Sequence, residues 1–248
     1  MLVCFPPKTT VDMVLFLLGI MLAVPLSYFL KLIKTPKHRL VYCIISGIAL
    51  QDLVFGHRKA LLSNSLVVVA ASIANLWFVY FLLRNLKRNT LGWTITLYGL
   101  VATGISHAER FFSNYGGWDM SISEILMMQT VHISTLAWDY QDGADDTKKG
   151  SRTALKELPG LMEYFAAGLS PSQTLAGPCS HIIDFTDYIY ARKEFTTSVK
   201  TVLPGLQKFT TALFWLGVYV FMTSKLPTSI LYSPSYSELP FHLRVRQS

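Results

Sequence analysis

The sequence predicts an all-α, multi-pass integral membrane protein with about six or seven hydrophobic helices, and three observations carry that prediction. Of the 248 residues, 51% are apolar and only 15% are charged, with a mean hydropathy of +0.38. A typical soluble domain carries roughly a quarter charged residues. Apolar runs of membrane length recur along the chain, separated by short basic linkers. One of these runs, residues 121–143, also carries a polar stripe, which suits a helix built around a polar interior and not around lipid alone.

Residues 11–30 form the first apolar run, long enough for a hydrocarbon core of about 30 Å. The run is too long and too weakly basic at its start for a cleaved signal peptide, and no small-residue cleavage pattern precedes Lys31-Leu32-Ile33-Lys34, so it is expected to be retained as a helix. Residues 40–55, 65–83 and 91–105 follow, each flanked by Lys, Arg or His. Beyond the 121–143 segment lie residues 158–176, broken by Pro171 and Gly177-Pro178, and an aromatic-rich span at 202–222. Short linkers and the lack of a long hydrophilic block predict that residues 1–248 form one membrane domain.

Most of the net charge of +7 sits in the linkers, where it reads as orientation and headgroup contact and argues against nucleic acid binding. Lys31, Lys34, Lys37 and Arg39 follow the first run, and Arg84, Lys87 and Arg88 follow the third. Only Arg58 and Lys59 follow the second, so the first and third linkers are expected on the cytoplasmic side. Cys4, Cys43 and Cys179 form neither a CxxC pair nor an even set, which argues against a disulfide or zinc framework.

At about 100° per residue, Ser121, Glu124, Met128, His132, Thr135 and Asp139 share a stripe roughly 80° wide, while Ile122, Ile125, Leu126, Ile133, Leu136 and Ala137 lie opposite. Ionisable residues inside a membrane segment are costly enough to mark candidate sites, which singles out Glu124, His132 and Asp139, with Gln129 and Trp138 nearby. The competing explanation is hydrogen bonding between helices. His107, His132 and His181 have no spacing that builds a metal shell, so no metal is expected. A second site is Leu175-Ala176-Gly177-Pro178-Cys179-Ser180, where Gly-Pro breaks an apolar stretch. Irregular backbone at membrane depth needs protein or a water-filled cavity around it, so Gly177 and Pro178 predict a re-entrant turn or helix junction at a cavity mouth, with a surface loop as the alternative. The run from Ile182 to Tyr190 reads as an amphipathic interfacial helix.

Tyr115-Gly116, Met127-Met128-Gln129-Thr130, Asp142-Gly143, Leu161-Met162-Glu163-Tyr164-Phe165, Ala176-Gly177-Pro178-Cys179 and Asp184-Phe185-Thr186-Asp187-Tyr188-Ile189 occur in an order that resembles the membrane-bound O-acyltransferases, most closely their lysophospholipid acyltransferase branch. The resemblance implies a multi-pass enzyme of the endoplasmic reticulum membrane that transfers a fatty acyl group from acyl-CoA, a co-substrate, to a lysophospholipid hydroxyl in phospholipid remodelling. It also implies membrane lipids and other membrane proteins as partners, and no bound cofactor. In that family a histidine in an apolar helix is the general base, aided by an upstream asparagine, and both lie in the half that follows the region matched here.

No Trp-His-Gly and no Trp-Asn occurs, and none of His38, His57, His107, His132, His181 and His242 matches the family's catalytic position. The chain therefore reads as an N-terminal part of the fold, truncated after Leu239-Pro240-Phe241-His242, with no catalytic residue assigned. Glu124, Gln129, His132, Trp138, Asp139, Gly177 and Pro178 are expected to line the substrate chamber. Two alternatives stand beside the enzyme: a non-catalytic membrane protein that binds lipid or a full-length partner, and a transporter or receptor.

Overall fold

A computed structural model describes residues 7–55, 65–113, 121–144, 152–177, 179–191 and 202–225. The described residues are helical or irregular, with no strand among them. Eight α-helices are described, and we number them in chain order. They are α1 (Pro7–Phe29), α2 (Pro36–Phe55), α3 (Ser65–Asn85), α4 (Leu91–Ser113), α5 (Ile122–Asp142), α6 (Leu161–Gly168), α7 (Ile182–Ile189) and α8 (Val202–Lys225). Single 3₁₀ turns at Leu30–Leu32 and Arg88–Thr90 lead out of α1 and into α4. Cys4, Tyr115, Gly116, Pro178 and the 226–248 stretch with its Leu-Pro-Phe-His motif lie outside the described residues.

Among the described residues, three helical segments are both long and apolar enough to cross a membrane: Val14–Leu32, Pro36–Phe55 and Leu66–Asn85. Large apolar residues point outward on them, as lipid contact requires: Val24, Ile45, Leu66 and Phe81 are each more than half exposed. The expectation of a spanning helix at 158–176 is corrected. Only Leu161–Gly168 is helical there, eight residues or about 12 Å, less than half a hydrocarbon core.

The chain divides into two compact units. In the first, residues 196–248 with 1–4, the described element is α8, which carries outward aromatic residues such as Phe214, Trp215 and Tyr219. The second, Phe5–Phe195, holds α1 to α7. Its most extensive helix pair is α4 with α5, and the pairing depends on missing side chains. A Cβ on Gly92 would lie 2.6 Å from the Trp138 indole, and one on Gly99 would lie 2.6 Å from Thr130 Cγ2. Thr130 Oγ1 then donates to Gly99 O at 3.2 Å and pairs with Thr103 Oγ1 at 3.0 Å. Small residues that let membrane helices approach, with hydroxyls bonding across them, are the usual substitute for a hydrophobic driving force in lipid.

The core of this unit is a set of apolar residues from α3, α4, α5 and α6: Leu76, Val79, Leu83, Leu91, Ile95, Ile133, Leu136 and Tyr164. The apolar side of α5 packs as its periodicity predicts, with Ile122, Ile125, Ile133, Leu136 and Ala137 buried. Its outward strip is instead Met127 and Val131, one turn apart. Both the polar stripe and the apolar side therefore face protein.

Two arginines, Arg39 in the first turn of α2 and Arg88 in the turn before α4, hold main chain. Arg88 Nε donates to Tyr140 O at 2.6 Å and Nη1 to Lys156 O at 3.0 Å, while Nη2 bonds Leu155 O. The guanidinium also sits 4.1 Å over the Tyr140 ring, so it caps the C-terminal end of α5. Arg39 does the same for α7, donating from Nη1 to Ile189 O at 2.9 Å and from Nε to Ile33 O at 2.7 Å. At the other end of α5, Ser121 and Glu124 form a capping box: Ser121 N donates to Glu124 Oε2 at 2.7 Å.

Residues 169–177 and 179–181 run through the unit without regular helix, yet Leu169, Ser170, Gln173, Thr174 and Leu175 are buried. Local bonds satisfy part of the main chain, with Ser170 O accepting from Gln173 N at 3.0 Å and Thr174 N at 2.9 Å. Gly47 admits this segment to α2, since a Cβ there would lie 1.5 Å from Leu169 O. Gly47→Ala must push α2 off the segment, at an expected cost of at least about 2 kcal/mol. In thermal unfolding of the detergent-solubilised chain this reads as a Tm lower by about 4–8 °C. An unchanged Tm would contradict the close approach.

Candidate functional site

The site is built where α5 faces the 169–181 segment. Behind it, five side chains form a hydrogen-bonded line across α2, α3, α4 and α5. Tyr98 OH donates to Asn75 Oδ1 at 2.9 Å, and Asn75 Nδ2 donates to Gln129 Oε1 at 2.8 Å. Gln129 Nε2 donates to Ser72 Oγ at 2.6 Å, which also accepts from Gln51 Nε2 at 3.3 Å. Gln51 Nε2 reaches Thr174 Oγ1 at 2.8 Å, joining the line to the irregular segment. Gln51 and Ser72 are fully buried and Gln129 nearly so.

In front of this line, three residues of the α5 stripe meet the segment at successive turns. His132 lines a small cavity together with Gln173 of the segment. Thr135 Oγ1 sits 3.5 Å from Cys179 Sγ. Asp139, buried, bonds His181 Nδ1 through Oδ2 at 2.7 Å, while His181 stays 41% exposed. Asp139 also receives a hydrogen bond from Thr153 and carries the main-chain amide of Leu155 on its carbonyl, at 2.9 Å. The result is a polar seam from the interior to the exposed imidazole of His181.

Two cavities border the seam, and Gln173 and Ser180 line both. One is a pocket of about 310 Å³ with largely apolar walls that include Leu30, Cys43, Phe185 and Tyr188. That volume is at the lower end of the range of small-molecule sites, about 300–1,000 Å³. The other, about 30 Å³, lies between His132, Tyr164, Gln173 and Ser180.

The residues singled out from sequence are thus distributed. His132 and Asp139 are on the seam. Glu124 is at the far end of α5, paired with Arg110 Nη1 at 2.8 Å and engaged in the capping box. Gln129 is in the buried line. Trp138 turns to α4, where its indole N–H donates to Thr96 Oγ1 at 3.2 Å and its ring stacks edge-on against Trp93. Gly177 lies where a Cβ would come within 1.5 Å of Ser172 O, so the turn closes on itself there. Pro178 is not among the described residues. No group of three or more His, Cys, Asp or Glu able to hold a metal occurs among the described residues. Sequence reasoning did not pair His181 with Asp139 or bring Ser72, Asn75 and Gln51 to Gln129. The available signal was that each is a polar residue inside an apolar run.

No family model matches the chain. Individual curated proteins do. Lysophospholipid acyltransferase 1 of Arabidopsis thaliana is 22% identical over 236 residues, covering 91% of this chain and 49% of its own length. The lysophospholipid acyltransferase of Schizosaccharomyces pombe is 22% identical over 179 residues, 67% of this chain and 35% of its own length. A mouse protein, membrane-bound glycerophospholipid O-acyltransferase 1, is 34% identical over 94 residues, 36% of this chain and 19% of its own length. The chain spans at most about half the length of these relatives.

The Asp139–His181 pair is asymmetric, and so are the expected mutants. His181→Ala leaves a buried carboxylate without its cationic or N–H partner, at an expected cost of about 1–3 kcal/mol. Asp139→Asn removes the charge and keeps an acceptor for His181, so it should cost less than about 1 kcal/mol. Chemical or thermal unfolding in micelles measures both; the reverse order would show that the carboxylate is hydrated and unpaired. With its described residues all helical or irregular and a buried polar seam among them, the membrane chain is similar along most of its length to lysophospholipid acyltransferases, at 22% identity.

Proposed function

We propose that this chain takes part in transfer of a fatty acyl group from acyl-CoA to a lysophospholipid hydroxyl, and that its contribution is to bind lipid at membrane depth. The observation that carries the reading is the match to lysophospholipid acyltransferases across 91% of the chain. The 310 Å³ cavity supports it, because its walls combine apolar side chains suited to an acyl chain with the polar edge of Gln173, Ser180 and Asp184. On this reading the endoplasmic reticulum membrane is the place of action and acyl-CoA the co-substrate, with no cofactor required.

We assign no catalytic base. Acyl transfer from a thioester to an alcohol needs a base within reach of the acceptor hydroxyl and donors for the developing oxyanion. The carboxylate of Asp139 orients His181, as a supporting acid does in a catalytic pair, but His181 is not among the residues lining either cavity. The roles we propose are therefore in binding. His132 and Asp139 maintain the polar wall, Gln129 holds that wall to the bundle, and Gly177 allows the turn beside the cavity. Glu124 and Trp138 act through α5, fixing its start and its packing on α4.

A photoactivatable lysophosphatidylcholine tests the assignment in membranes containing the chain. Crosslinks are expected in the 169–190 region and in α2 around Cys43, and unlabelled lysophosphatidylcholine should compete them away. Cys43→Trp fills the cavity and should reduce this labelling about tenfold or more. Labelling spread evenly over the outward faces of α1, α3 and α8 would sink the reading in favour of ordinary annular lipid. The companion assay is transfer of labelled oleoyl groups from oleoyl-CoA to lysophospholipids in membranes lacking their own activity. Lipid binding without transfer above empty membranes is the expected result for the chain alone.

A further inference from the structure

Two buried polar atoms without a partner, His132 Nε2 and the Tyr164 hydroxyl, belong to residues that line one small cavity. Tyr164 is only 3% exposed and sits in the core between Tyr80 and Phe165, ring centroids 5.2 and 5.7 Å away. These neighbours fix the ring, so the hydroxyl cannot swing out to water. Its phenol is held there by packing. His132 lines the same small cavity as Gln173. A neutral imidazole carries one N–H and one lone pair, so in the tautomer protonated at Nδ1 the Nε2 atom accepts while Tyr164 can donate. Ser180 Oγ accepts from Gln173 Nε2, which frees the serine proton to donate as well.

We propose that the cavity between α5, α6 and residues Gln173, Ser180 and Ile182 is a binding site for a single hydroxyl group. The hydroxyl donates to His132 Nε2 and its oxygen accepts from Tyr164 and from Ser180. The volume of about 30 Å³ decides the class of ligand. It exceeds the roughly 10–15 Å³ that admits one water and is far below what an acyl chain or a headgroup occupies. An apolar occupant would leave both orphan atoms unpaired, whereas a hydroxyl satisfies both. Water is one source of that group. The other is the free hydroxyl of a lysophospholipid, reaching in past Gln173 and Ser180, which line the larger cavity as well. This second source rests on the lipid-binding reading above; the site itself does not.

Tyr164→Phe keeps the ring and removes the oxygen, so the sign of the stability change is diagnostic. If the site is filled, the variant loses a hydrogen bond and Tm falls by about 2–4 °C. If the space is dry, the variant deletes an unsatisfied buried hydroxyl, and Tm stays the same or rises; either result overturns the proposal. A second reading uses the unsubstituted chain: solid-state NMR with labelled histidine should show magnetisation transfer from a hydroxyl proton to the His132 imidazole, and its absence with the lipid-free protein also counts against the site. The source is then separated by adding lysophosphatidylcholine or its analogue lacking the free hydroxyl. A larger Tm rise with the lysophospholipid, lost in Tyr164→Phe, identifies the lipid hydroxyl as an occupant. Equal rises with both, and a persistent drop in Tyr164→Phe alone, identify water. Photolabelling of the larger cavity can fail while the Tyr164→Phe sign holds, so the two readings fall separately.

Discussion

The need to pair every polar group that enters an apolar helix bundle governs this structure. A buried amide or hydroxyl left alone costs about 1–3 kcal/mol even in a protein interior, and more where no water can reach it. The chain places Gln51, Ser72, Asn75, Tyr98 and Gln129 inside, on four helices, and joins them into one line. Those bonds set which faces of α2, α3, α4 and α5 can meet. Apolar packing alone would allow many rotations of such helices, since lipid is as good a solvent for leucine as another helix is.

The same constraint explains the most unusual part of the unit. Residues 169–177 and 179–181 carry main-chain polar groups outside regular helix, in a protein whose surroundings include lipid. The segment is tolerated because it is enclosed: Gly47 opens room for Leu169, Thr174 joins the buried line through Gln51, and Gly177 lets the chain turn against Ser172. Irregular backbone at this depth is found where it lines a cavity or is covered by protein. Here both apply, and the two cavities are its consequence.

Arginines that look like membrane-topology signals have a further role in this frame. Arg39 starts α2 and Arg88 precedes α4, each beside a run of basic residues whose positive charge biases orientation. Each also supplies donors to carbonyls at the end of a helix, α7 and α5 respectively. Planar guanidinium groups suit this task, offering several donors in fixed directions where a lysine offers a single point of charge. The C-terminal end of α5 is thereby held against residues 155 and 156, close to the buried Asp139.

The sequence by itself determined the all-helical membrane class, the positions of the long apolar helices and the packing side of α5, because hydropathy and a 3.6-residue period are local properties of the chain. It also singled out Glu124, Gln129, His132 and Asp139, since an ionisable or amide group inside an apolar run is conspicuous without any partner in view. It could not say what each one does. Residues 158–176 read as a span on composition, yet only Leu161–Gly168 is helical, because the remainder closes against α2 through contacts more than a hundred residues away in sequence. Glu124 became a cap and Gln129 a cross-helix anchor, while Asp139 found His181 across 42 residues. Partnership across that distance depends on which helix faces meet, and only the tertiary structure decides that.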